Sequence, residues 1–198
     1  MDTHDIILIV IFNVISILSI GQDIFCKIKN KAYISKETYD TTPINTILVC
    51  ILTFLFFLIM PLNFIFDFCP KLFDWPSSYV CLSLGSVISF VGLLVRLLAT
   101  YTLSEAHSIK IQIQENQKLH QEGLYKFIRH PIYFGLLLTV SGISLIFQNL
   151  FMLSIGLLIY SCVIFIRFKK EEKLLIHHFG KDYLAYMKKT KAIIPFIY

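Results

Sequence analysis

The chain has 198 residues, 56% of them hydrophobic and only 16% charged, with a mean hydropathy of +0.71. Disorder needs the opposite balance, and a soluble domain carries about a quarter charged residues, so composition excludes the first and argues against the second. A net charge of +5 would suit a nucleic-acid binder, but not at this apolar content, and the leading class is a membrane protein.

Spans are located by where Asp, Glu, Lys and Arg are missing. None falls between Asp5 and Asp23, between Asp40 and Asp67, or between Asp74 and Arg96. The next gap, from His130 to Ile166, is 37 residues long. As one helix it would measure about 55 Å, against about 30 Å for the hydrocarbon core of a bilayer. It must fold back, and Gln148-Asn149 is its strongly polar pair. The expectation is an all-α integral membrane protein, a single domain over 1–198. Five transmembrane helices fall at about 6–22, 44–66, 79–101, 132–147 and 150–166, the last two as a tight hairpin, with a cytoplasmic C-terminal helical tail.

Orientation follows from the cations. Sixteen Lys and Arg fall in the loop after span one, the loop after span three and the tail; Lys71 alone is on the other side, and Arg96 is inside span three. The N-terminus should lie outside and the C-terminus in the cytoplasm, in a multi-pass topology. The first span lacks a positive n-region and should persist as an anchor. Arg96 is near the cytoplasmic end of its span, where a cation snorkels, takes a structural partner, or serves a substrate mouth. Gly85 and Gly92, and likewise Gly135 and Gly142, are seven apart, which puts small residues on one helix face for close packing.

The five cysteines form no CxxC or Cys/His metal spacing, and His177-His178 lacks companion ligands, so no metal site is expected. Reactive polar residues concentrate in two cytoplasmic pieces, 114–133 (QENQKLHQEGLYKFIRHPIY) and 167–186 (RFKKEEKLLIHHFGKDYLAY), which flank the hairpin. A helix pair that enters and returns brings its outer ends together, so Arg129, His130 and Pro131 should neighbour Arg167 through Glu172.

In the first piece Pro131 suits the first position of a helix, with His130 at the cap and unpaired N–H groups that attract anions. The alternative is that Arg129 and His130 only anchor the interface, with Tyr125 and Tyr133 as an aromatic belt. In the second, a helix is expected from about Phe168 to Phe179, with Gly180 as the stop and a short helix to about Lys189. Glu171 and Glu172 would then occupy its first turns, facing His130 or simply solvated at a helix N-terminus.

The run EGLYKFIRHPIYFG, an apolar hairpin, then EEKLLIHHFGKDYLAYMKKTKAIIPFI resembles the isoprenylcysteine carboxyl methyltransferase family and the related phospholipid methyltransferases. The resemblance runs from Gln114 to the C-terminus and rests on RHPxY, paired Glu, FGxxY and the late Pro195. It implies S-adenosyl-L-methionine as cofactor and the carboxylate of an isoprenylcysteine as methyl acceptor. Segments 102–131 and 167–198 would hold the cofactor: Gln117, Lys118, Leu119 and His120 along it, Tyr125, His130, Pro131, Ile132 and Tyr133 completing the pocket, and Glu171 contacting it from the tail. Arg167 matches the arginine placed at the substrate carboxylate, its catalytic and substrate-binding residue. The implied partners are a lipid-modified or lipid substrate entering from the bilayer, and membrane lipids, with no nucleic acid and no metal. Methyl transfer to a phospholipid or small thiol, and an NADPH-dependent membrane reductase of related layout, are the alternatives.

Overall fold

The computed structural model describes single positions between 7 and 21 and between 51 and 66, and then residues 78–103, 118–148 and 150–194. The positions in the first two apolar stretches are helical. The named helices are α1 (Ser78–Leu103), α2 (Pro131–Ile146), α3 (Leu150–Phe179) and α4 (Lys181–Lys189), with a 3-10 turn at Gly123–Lys126. Among the described residues α1 is the one helix long and apolar enough to cross a membrane, with mean hydropathy 2.1 over Tyr79–Leu103. Helix α2 is apolar but only 16 residues long, about 24 Å at 1.5 Å per residue.

Helices α1 and α2 run antiparallel and pack through their glycines. A Cβ at Gly85 would meet the Gly142 carbonyl oxygen at 2.6 Å, and one at Gly92 would meet the Gly135 oxygen at 2.6 Å. The sevenfold spacing read from the sequence therefore builds one seam. Thr139 Oγ1 donates to the Gly135 carbonyl of its own helix at 2.9 Å and Ser144 Oγ to that of Val140 at 3.0 Å, while Ser89 Oγ reaches across the seam to the Thr139 carbonyl at 3.4 Å. Gly92→Ala would gain up to about 1 kcal/mol of helix propensity. It would still lose stability, by about 1–3 kcal/mol net, because the obstacle is backbone that cannot move aside. Thermal unfolding in detergent checks the sign.

Phe12 and Ile15 of the first stretch join Leu82, Leu93, Ile143, Ile146 and Phe147 in one apolar cluster, with the Phe12 and Phe147 rings 5.1 Å apart. Further along, Ser19 Oγ accepts a 2.6 Å hydrogen bond from Arg96 Nη1. Phe12 lies at the start of α1 and Ser19 near its end, so the two segments run in the same direction. Arg96 is 5% exposed. Of the readings open from sequence, it takes a structural partner.

Two expectations about the tail are corrected. Span five and the helix expected from Phe168 are one 30-residue helix, α3. Nothing between Ile166 and Phe168 breaks a helix, and the bilayer boundary that separated them in the sequence is a change of solvent, not of backbone. Glu171 and Glu172 therefore lie deep inside α3, far from its own N-terminus. The stop at Gly180 holds, with φ +54 at the junction to α4. The hairpin turn falls after Phe147, where Gln148 takes φ +53.

After α4 the chain extends and returns beneath the start of α2. Ile128 and Lys191 form a parallel bridge. The Arg129 N–H donates to the Lys191 carbonyl at 2.8 Å, the His130 N–H to that of Ala192 at 2.9 Å, and the Lys191 N–H to that of Phe127 at 3.1 Å. Ala192 and Ile193 are buried with Val140, Tyr160, Ile164 and Phe168. This C-terminal strap was not foreseen. Gln117, the late Pro195 and most of the expected spans 6–22 and 44–66 lie outside the described residues.

Candidate active site

Pro131 opens α2 at its first turn, with His130 at the cap. The His130 carbonyl accepts from the Tyr133 and Phe134 N–H groups, while its own N–H is taken by the strap, so cap and strap fix the imidazole together. On α3, Arg167 and Glu171 are one turn apart on one face, as are Phe168 and Glu172 on the next. The hairpin sets the first pair against Tyr133 and the second against His130 and Arg129.

The result is a continuous polar chain. Arg167 Nε donates to Tyr133 Oη at 2.8 Å, and the same hydroxyl donates to Glu171 Oε2 at 2.8 Å. Glu171 Oε2 lies 3.8 Å from His130 Nδ1, and His130 Nε2 lies 3.6 Å from Glu172 Oε1. Arg129 Nε closes the chain on Glu172 Oε1 at 2.7 Å, and its Nη1 donates to the carbonyls of Thr190 and Met187. Two guanidinium groups balance two carboxylates, with the imidazole between them. His130 is stacked on Tyr133 at 5.6 Å and tilted over Phe168 at 5.4 Å.

His130, Arg167 and Glu172 are buried, whereas the Glu171 side chain keeps 34% of its surface. Glu171 is thus the opening of an otherwise enclosed cluster. Burial works against an ionised Glu172, but the His130 imidazole and the Arg129 guanidinium outweigh it and hold the carboxyl below its ordinary range. Tyr125 is pushed well above the usual phenol range, first by burial and then by the Glu171 carboxylate.

The structure brings together Tyr125, His130, Pro131, Tyr133, Arg167 and Glu171, with Ile132 half-buried beside them. Lys118 is exposed, and Leu119 and His120 are half-buried, in the lead-in to Gly123. Their side chains make no hydrogen bond or ion pair among the described residues. Arg129 and Glu172 were expected as neighbours but not as site residues, although the Phe168–Glu172 spacing on α3 was signal enough. Tyr186, whose hydroxyl donates to the Tyr125 carbonyl at 2.6 Å, and Thr190 carried no sequence signal, because their part depends on the return of the strap.

Residues 84–177, which include the α1–α2 seam, the His130 cap and both glutamates, can be compared directly with known families. They match the model of the isoprenylcysteine carboxyl methyltransferase (ICMT) family. The resemblance read from the RHPIY and paired-Glu residues therefore holds. The protein-S-isoprenylcysteine O-methyltransferase of Saccharomyces cerevisiae is 30% identical over 130 residues, 64% of this chain and 54% of that one. A probable protein-S-isoprenylcysteine O-methyltransferase of Oryza sativa subsp. indica is 31% identical over 129 residues, 62% of this chain and 63% of that one. The chain thus spans less than two thirds of these ICMT relatives. A solved structure of a eukaryotic intramembrane Ras methyltransferase, ICMT, superposes with TM-score 0.60 at 21% identity, covering 76% of this chain and 53% of that one. This chain has the same helical fold.

Proposed function

We propose that the protein is a membrane methyltransferase that uses S-adenosyl-L-methionine to esterify the carboxylate of isoprenylcysteine-like substrates. The observation that carries this reading is the Arg167–Tyr133–Glu171 chain within a stretch that matches the ICMT family. The relatives named for this activity support it.

The residues fit such a cofactor. Its ammonium and ribose hydroxyls need acceptors, and the part-exposed Glu171 is one. A sulfonium favours aromatic faces, and the Tyr133 ring stands beside Glu171. When bound, S-adenosyl-L-methionine supplies a methyl group on a positively charged sulfur. The acceptor carboxylate is already a nucleophile, so no side chain need act as a base. The chain's task is alignment and removal of water. Arg167 holds the acceptor carboxylate as its catalytic and substrate-binding residue, oriented by its bond to Tyr133. His130, Pro131, Ile132 and Tyr125 close the pocket, and Gln117, Lys118, Leu119 and His120 run along the cofactor.

The bilayer enters because the acceptor carries a lipid tail. Five spans with the N-terminus outside and the C-terminus cytoplasmic satisfy the cation count. The parallel course of the first stretch and α1 supports the same topology, since spans one and three must run the same way. Cys26 should then be labelled from the cytoplasm and Cys69 from outside by an impermeant thiol reagent, whereas the reverse pattern would overturn the orientation.

The direct test is transfer of a labelled methyl group by the purified protein, comparing a farnesyl-cysteine analogue with phosphatidylethanolamine. A base-labile methyl ester on the cysteine analogue is the expected product. Arg167→Lys, which loses the planar fork, should weaken acceptor methylation by roughly 10-fold or more while sparing S-adenosylhomocysteine binding. Methylated amine, or NADPH binding without S-adenosylhomocysteine binding, would point to the other chemistries.

A further inference from the structure

The turn motif Phe179-Gly180-Lys181-Asp182-Tyr183 ends in a residue to which the proposed function gives no task. Tyr183 is 1% exposed, and its hydroxyl has no hydrogen-bond partner among the described residues. Buried hydroxyl groups are nearly always paired, since one that is not has given up water for nothing. Its neighbour Tyr186 obeys the rule through the Tyr125 carbonyl.

Position explains the exception. Arg129 touches both Glu172 and the Met187 carbonyl, so this face of α4 lies against the polar chain. Tyr183 precedes Met187 by one turn. Burial pushes its phenol above the ordinary range, and the Glu172 and then the Glu171 carboxylates push the same way. A second buried atom without a hydrogen-bond partner among the described residues, His130 Nε2, lies 3.6 Å from the same Glu172. Two such atoms, on the two elements that Arg129 joins, leave the polar chain incomplete.

We propose that the Tyr183 hydroxyl is a ligand-contacting group, which receives a hydrogen-bond-donating hydroxyl or ammonium of the methyl donor. This rests on the methyl-donor reading above. The role differs from a packing role in its effect on the free protein. Removing an unpaired buried hydroxyl costs the free fold nothing, whereas removing a bonded one costs stability.

The experiment compares wild type with Tyr183→Phe by calorimetric titration and by thermal unfolding without ligand. The titrants are S-adenosylhomocysteine and 5′-methylthioadenosine, which keeps the ribose but lacks the amino acid. The variant should bind S-adenosylhomocysteine roughly tenfold more weakly, the scale of one lost hydrogen bond to a polar ligand, with an unchanged or higher unfolding temperature. Loss towards both titrants assigns the contact to a ribose hydroxyl, and loss towards the first alone to the ammonium. Equal affinity of variant and wild type, or a lowered unfolding temperature, would overturn the Tyr183 assignment alone. Absence of binding by the wild type would overturn the methyl-donor reading and this inference with it.

Discussion

Glu172→Ala should lower stability by about 3–5 kcal/mol, the usual cost of breaking a buried ion pair from one side. The Arg129 guanidinium, with only 9% of its side chain exposed, would keep the Thr190 and Met187 carbonyls but lose its counter-charge. Replacing both partners, as in Glu172→Leu with Arg129→Met, should recover much of the loss, because no charge is then left buried alone. The acid side gives an independent check. The folded state holds this carboxyl below its ordinary range, so its contribution is complete at neutral pH. That contribution is lost as pH falls from the ordinary glutamate value through the lower folded one. Glu172→Gln should flatten that part of the acid unfolding profile, measured by thermal unfolding between neutral and acid pH.

Ending the chain after Lys189 should have a comparable effect on the site with less effect on the helices. It removes the carbonyls that receive the Arg129 and His130 N–H groups, the Thr190 acceptor of the Arg129 side chain, and the buried Ala192 and Ile193. Three backbone hydrogen bonds and three buried side chains are lost at the cap of α2. S-adenosylhomocysteine binding should fall by at least a hundredfold, while far-ultraviolet circular dichroism keeps most of its helical signal. Lys191→Pro is the finer probe: it deletes the single N–H given to the Phe127 carbonyl and should weaken binding by a smaller factor, of order tenfold. Full binding by the truncated chain would mean that the cap holds its shape unaided.

The meeting of Arg129 and His130 with Glu171 and Glu172 was readable because hairpin geometry is arithmetic. An apolar run too long for one crossing must return, and residues at similar distances from its turn must meet. The seam of Gly85, Gly92, Gly135 and Gly142 was readable for a similar reason, since spacing alone assigns a face. The strap was not readable. Thr190 through Ile193 form an isolated bridge, and a parallel pairing of Ile128 with Lys191 across more than sixty residues leaves no periodic trace. The continuity of α3 was misread because a change in polarity was taken for a change in backbone. Arg129 and Glu172 fell between these cases: their nearness was expected, but their importance depends on burial, which sequence shows poorly for charged residues.

The glycine seam also decides how a greasy molecule could come in from the side. Backbone meets backbone between α1 and α2 at Gly85, Gly92, Gly135 and Gly142, so that flank is shut to anything as thick as a hydrocarbon chain. An open flank is the outer surface of α3, where Leu158, Ile159, Phe165 and Ile166 are exposed on the turns that lead up to Arg167, whose own side chain turns inward to Tyr133. A prenyl tail lying along that surface would bring its polar head to the level of Arg167 without ever leaving oil. The doorway and the latch would then belong to a single rod.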